Sequence, residues 1–223
     1  MDTFECIKTR RAVRKYLNKP VVWDDISNII EAGRYAPSAG NLQNWKFIVI
    51  LDKDKRKAMA EASLKQYWME TAPVHIVIIA EPIKAERYYG KRGERLYSVQ
   101  NCAAAAQNMM LEAANLGLSS CWIGAFEEEM VKRTLNIPDE ARPQAIITIG
   151  YPAEQPDKPA KHPPETIMYF NKWRGKIKDV PGYFGYYSVG LQKGIKQGKE
   201  SVKKHGKRLI EKAKEKLKKK SSS

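Results

Sequence analysis

Two short, nearly unbroken apolar runs constrain this chain more than any other feature: residues 45–51 (WKFIVIL) and 74–80 (VHIVIIA). A strand with one wetted face alternates apolar and polar residues, so runs of this length without alternation predict strands buried on two faces. Helical patterns surround them. Asp2 or Thr3 can cap a short helix in which Phe4 and Ile7 lie three apart, and that helix runs into the basic cluster 10–15 (RRAVRK). Asp24 and Asp25 begin a second helix, with Ile26, Ile29 and Ile30 on one face, the small Gly33 next to them, and a stop before the turn 37–40 (PSAG). Residues 98–116 (SVQNCAAAAQNMMLEAANL) predict a long central helix, small-sided enough for close packing and ending at Gly117. Residues 119–123 and 144–149 read as further strands, and 127–135 as a helix with three acids at its favourable end. Helices and strands interleave within one unit.

The length of 223 residues gives ample chain for a core, and 43% hydrophobic with 29% charged residues is an ordinary globular composition. The formal charge of +15 is uneven: residues 1–175 carry 25 basic and 21 acidic side chains, residues 176–223 carry 15 and 4. Cys6, Cys102 and Cys121 are irregularly spaced, with His75, His162 and His205 as the nitrogen partners available, which argues against a disulfide framework or a zinc site. The N-terminus lacks the basic and apolar regions of a signal peptide, and no apolar run approaches the roughly 20 residues of a membrane span. A cytoplasmic protein is expected.

Some segments are irregular. Residues 81–96 (EPIKAERYYGKRGERL) read as a mobile lid or excursion, and 150–164, with five prolines, as an extended connection. Residues 182–190 (GYFGYYSVG) are aromatic and Gly-rich, and 199–220 are Lys-rich with a thin apolar stripe. That tail fits a solvated basic helix or frayed end better than an arm for nucleic acid or an anionic surface, because no aromatics interleave its lysines.

Three constellations can carry chemistry. Arg10, Arg11 and Arg14 can bind phosphate or form a solvated basic turn, and Arg10 and Arg14 share a face if the helix continues. Residues 36–45 (APSAGNLQNW) offer hydroxyl and amide groups able to read a polar heterocycle, or a plain polar turn. Residues 117–126 (GLSSCWIGAF) make a helix end, a strand and a glycine turn that presents backbone N–H groups, or a simple connection. His75 and His205 read as structural, and Cys121 as a small apolar strand residue.

Together with 149–152 (IGYP) and 161–167 (KHPPETI), these motifs fall in an order and spacing that resembles the nitroreductase family of FMN-dependent oxidoreductases, over roughly residues 3–173. The resemblance implies an α+β fold: a three-layer α/β/α sandwich with a mostly antiparallel central sheet, assembled as a segment-exchanged homodimer. It implies an FMN-binding domain over 1–175 followed by a basic extension over 176–223. It also implies ping-pong transfer of hydride from NADH or NADPH through the flavin to an electron-poor small molecule such as a nitroaromatic or quinone. Arg10, in the Arg10–Arg11–Arg14 motif, matches the residue pairing with the FMN phosphate, and Arg14 the one beside the ribityl chain and the N1/O2 edge. Pro37, Ser38, Asn41 and Gln43 match the segment reaching the flavin from the neighbouring subunit, Gly124 and Ala125 the turn against N5, and Lys161, with Lys158 as its substitute, the basic residue closing on the phosphate. The chain departs from the pattern at Ala12, where serine is common and would offer a phosphate hydroxyl, at Asn44 in place of proline, and at Lys161 in place of arginine. Relatives of this architecture include reductive dehalogenases and flavin-cleaving enzymes that differ chiefly in the lid.

Overall fold

The computed structural model describes residues 2–176; the aromatic and Lys-rich stretches at 182–190 and 199–220 lie outside the described residues. Four strands, β1 (Trp45–Ile50), β2 (Val74–Ala80), β3 (Ser119–Ile123) and β4 (Arg142–Gly150), form a fully antiparallel sheet in the order β1-β2-β4-β3. Every residue of β2 is buried. Its even-numbered side chains Val74, Ile76 and Ile78 join Ile147 and Ile149 of β4 in a cluster with helices α2 (Trp23–Arg34) and α5 (Ser98–Asn115). Val77 and Ile79, pointing the other way, join Ile146 and Ile123 in a second cluster with α3 (Lys53–Ala62) and α6 (Glu128–Leu135). The period of two thus sorts one strand's side chains between two helical layers, the three-layer arrangement expected.

β1 corrects the expectation of two buried faces. It stands at the sheet edge, and Lys46 is exposed with Phe47, Ile48 and Val49 only partly covered. α5 packs closely because it is small: Ala105, Ala106 and Ala113 have no exposed surface. At Gly33 of α2 a β-carbon would collide with the Met109 side chain, so the glycine sets how near the two helices come. Asp2 caps the first helix, α1 (Thr3–Thr9), accepting from the backbone N–H of Phe4 and Glu5.

Residues 81–96 are also corrected. They are helical: α4 (Pro82–Arg92) leads through a π-type turn, Gly93–Tyr97, straight into α5. Proline opens α4 at its first turn, where its missing N–H costs nothing, and Ala85 is buried. Lys91 holds Glu86 and Glu94 at 2.8 Å each, and Gly90 absorbs the kink with φ 55°. The polar composition misled because the cover comes from α4's own ion pairs and from the edge-on contact of Tyr89 with Tyr97. The chain divides into two compact units, Met1–Pro159 and Ala160–Ser223, and the second contributes the short helix α7 (Pro164–Ile167).

His75 is fully buried on β2; its Nε2 lies 2.9 Å from the Met69 carbonyl and its Nδ1 has no partner among the described residues. Burial pushes its pKa down to about 4. Between pH 6.5 and 4 the unfolded chain therefore binds a proton that the folded one refuses, and stability present in full above pH 6.5 is lost as the pH falls. We expect urea denaturation to show an acid loss of about 2–3 kcal/mol by pH 4.5 in excess of that in His75→Gln. Identical pH dependence in the two proteins would refute the assignment.

Candidate functional site

α1 stops at Arg10, whose ψ of 130° takes the chain out of the helix. The condition under which Arg10 and Arg14 would share a helix face is not met: the helix ends at Thr9, Ala12 forms a parallel bridge with Ser120 of β3, and the Val13 N–H donates to the Ser120 carbonyl at 3.3 Å. The backbone finds a sheet partner there that a further helical turn would forgo. Arg10 and Arg14 both lie near Cys121 of β3, although of the two only Arg10 lines the cavity that Ser120 also walls. Both reach the Cys121 thiol electrostatically: burial raises its pKa, while Arg14 and then Arg10 pull it down. The Arg14 guanidinium lies 5.9 Å from the Trp68 ring centroid. Arg11 turns back, its Nη1 donating to the carbonyls of Lys8 and Arg10 at 2.7 and 2.8 Å.

This opening segment is latched to the chain that follows β4. Glu154 Oε1 accepts from the backbone N–H of Arg14 at 2.6 Å and of Lys15 at 3.2 Å. The Leu17 N–H donates to the Tyr151 carbonyl and the Ala153 N–H to the Lys15 carbonyl, both at 2.9 Å. The buried Tyr16 hydroxyl donates to the Val13 carbonyl and pairs with Thr148 Oγ1, each at 2.8 Å, and burial drives its pKa well up. Glu154 was missed from sequence: it lies 140 residues from Arg14, and no local pattern marks it. Among the described residues, Arg10, Arg11 and Arg14 form no ion pair with a carboxylate. Arg10 and Arg11 line a cavity of about 670 Å³, with Gly117, Ser119, Ser120 and Glu154 among the other walls.

The loop 37–43 does not line that cavity. It is held in a tight conformation of its own. Gly40, Asn41 and Gln43 are left-handed, at φ 54°, 55° and 47°. Ser38 Oγ accepts from the Gln43 N–H and Asn41 Oδ1 from Gln43 Nε2, both at 3.0 Å, while Pro37, Asn41 and Gln43 are exposed. A β-carbon at Gly40 would strike the Tyr89 hydroxyl of α4.

Asn44, which stands where the family pattern has a proline, fastens the end of this loop through its side chain. It is fully buried, its Nδ2 donates to Ser98 Oγ at 2.9 Å and the Glu81 carbonyl at 3.2 Å, and its Oδ1 accepts from Asn101 Nδ2 at 2.7 Å. Asn101 Oδ1 in turn accepts from the Ala39 N–H at 3.0 Å, and Ser98 Oγ donates to the Gly93 carbonyl at 3.0 Å. Gly124 and Ala125 form an exposed turn between β3 and α6, outside the arginine cavity. Lys161 is exposed in the second unit, just ahead of α7.

The sequence model of the nitroreductase family matches residues 7–68 and 62–151. A protein of Archaeoglobus fulgidus, provisionally named NADH dehydrogenase/NAD(P)H nitroreductase, is 36% identical over 160 residues, covering 69% of this chain and 88% of its own. The NADH dehydrogenase of Thermus thermophilus is 30% identical over 203 residues, covering 78% and 97%. Among solved structures, an FMN-dependent nitroreductase from Clostridium difficile superposes with a TM-score of 0.67 at 27% identity, covering 76% of this chain and 99% of that one. The chain belongs to the nitroreductase family.

Replacing Asn44 by Ala removes one partner each from Ser98, Asn101 and the Glu81 carbonyl inside the protein. We expect urea denaturation to show a loss of about 2–4 kcal/mol for Asn44→Ala, against less than about 0.5 kcal/mol for the exposed neighbour Lys46→Ala. Comparable small losses for both would mean that the network contributes little.

Proposed function

We propose that the protein is an FMN-dependent oxidoreductase that takes electrons from NADH or NADPH and delivers them to an electron-poor small molecule, such as a nitroaromatic or a quinone. The observation that carries this is the gathering of Arg10, Arg11 and Arg14, without carboxylate partners among the described residues, beside β3 in a chain of this family. The residues fit a flavin mononucleotide. Arg10 and Arg11 wall a cavity of sufficient size, a buried hydroxyl in its wall at Ser120 has no partner among the described residues, and the loop at 37–43 offers amide and hydroxyl groups. The FMN-dependent relative and the NAD(P)H in the relatives' names support the same cofactor and donor.

In this reading Arg10 would hold the phosphate, and Arg11 would support the local positive potential. Arg14 would serve the ribityl chain and the N1/O2 edge, Gly124 and Ala125 would offer backbone to the N5 side, and Pro37, Ser38, Asn41 and Gln43 would come from a second copy. FMN, when bound, would supply the hydride chemistry between the nicotinamide donor and the acceptor. The protein's part is position and charge. Glu154 fixes the Arg14 backbone and Trp68 flanks its guanidinium, so a cation stands ready to favour negative charge without rearranging. His75 and Tyr16, both buried with pKa values driven away from neutrality, are unsuited to proton exchange with a substrate.

The homodimer is part of the proposal. The separation of loop 37–43 from the arginine cavity within one chain supports a site completed by a second copy, and Phe4, Ile7 and Tyr35 leave apolar surface exposed for such a contact. Residues 1–175 are read as the FMN-binding domain and 176–223 as its extension. No helix of the described residues is long and apolar enough to cross a membrane, and a cytoplasmic setting suits a nicotinamide-dependent enzyme.

Purified protein should show a flavin spectrum that NADH or NADPH bleaches under anaerobic conditions, and should sediment at twice the 25.4 kDa chain mass. Arg10→Ala should weaken FMN about 10- to 100-fold, the worth of one charge-assisted contact. Colourless protein that takes up no added FMN would sink the reading. Bound flavin that neither nucleotide bleaches would instead point to another electron donor.

A further inference from the structure

Three buried side-chain polar atoms have no hydrogen-bond partner among the described residues: Ser63 Oγ, His75 Nδ1 and Ser120 Oγ. Of these, only Ser120 belongs to a residue lining the cavity that holds Arg10 and Arg11. Its exposure is 1%. A hydroxyl left without a protein partner in a cavity wall retains a donor for a group bound there.

The backbone supplies the second observation. Ser120 is bridged to Ala12, and residues paired across neighbouring strands carry their side chains on the same side, about 5 Å apart. The orphaned hydroxyl therefore stands one strand away from the position where the family pattern commonly has a serine and this chain has alanine. Glu154, the carboxylate in the same wall, is engaged with two backbone N–H groups and does not cancel the arginines through an ion pair.

We propose that Ser120 supplies the phosphate-binding hydroxyl that Ala12 lacks, donating to an oxygen of a phosphate monoester held beside Arg10. The Ser120 hydroxyl is buried as it stands, and the assignment requires one of its three staggered positions about Cα–Cβ to reach the phosphate. The assignment rests on the reading of this cavity as the FMN phosphate subsite. It has an unusual signature. Ser120→Ala removes an unsatisfied buried group, so it stabilises the flavin-free protein while weakening phosphate binding; a serine with only a packing role moves neither in that combination.

The test titrates flavin-free wild type, Ser120→Ala and Ala12→Ser/Ser120→Ala with FMN and with riboflavin, which lacks the phosphate, and records the melting temperature of each flavin-free protein. Ser120→Ala is expected to weaken FMN about five- to tenfold, leave riboflavin within about twofold, and raise the melting temperature; the double variant is expected to recover FMN affinity. Unchanged FMN affinity in Ser120→Ala, an equal loss for FMN and riboflavin, a lowered melting temperature, or a double variant no tighter than the single one would each overturn the assignment. Failure of the wild type to bind either flavin would overturn the reading of the site beneath it, and the assignment with it.

Discussion

Strand β2 has no face left for water. All of its side chains are buried, so the sheet must be covered twice, and the alternation of Val74, Ile76 and Ile78 against Val77 and Ile79 decides which helices cover which side. α2 and α5 close on one set, α3 and α6 on the other. The antiparallel neighbours of β2 inherit the same parity through their register, which is why Ile147 and Ile146 of β4 belong to different clusters though adjacent in sequence. His75 is the one ionisable interruption in this strand. Among the described residues its ring meets a partner at one nitrogen, the Met69 carbonyl, and burial favours the neutral form.

The arginines depend on the far edge of the same sheet. Ala12 borrows a bridge from Ser120 on the edge strand β3, and the following residues are fastened by Tyr16, Leu17 and Glu154 to β4 and the chain just after it. The use made of Glu154 matters electrostatically. A carboxylate beside three arginines would ordinarily form an ion pair and spend their charge; this one instead takes the backbone N–H groups of Arg14 and Lys15. The segment is held by negative charge while the guanidiniums stay available to an anion.

Local patterns made much of this legible. The unbroken apolar run at 74–80, the Ala-rich helix and the Asp2 cap each carry their cause within a few residues. The order of motifs carried the family. What sequence could not supply were pairings made over distance: Glu154 with Arg14, Arg14 with Trp68, Asn44 with Asn101. α4 was misjudged for a related reason. Its polar residues find partners one turn away, at Lys91, Glu86 and Glu94, and a segment satisfied by itself looks in sequence like one satisfied by water.

Asn44 shows how the same loop can be fixed by a different physical device. A proline at this position would restrain its own φ and push the preceding residue toward extended backbone. Gln43 is left-handed here, at φ 47°, a conformation that the asparagine permits and the ring disfavours. Freedom gained in the backbone is then removed by the side chain, through Ser98, Asn101 and the Glu81 carbonyl. The exchange has a consequence that a proline would not bring. Glu81 precedes α4 and Gly93 follows it, so one buried network meets both ends of that helix and, through Asn101, the Ala39 N–H of the loop. Groups joined in a buried network respond together. Both ends of α4 are thus tied to loop 37–43 by side-chain hydrogen bonds of a kind that a proline ring cannot make.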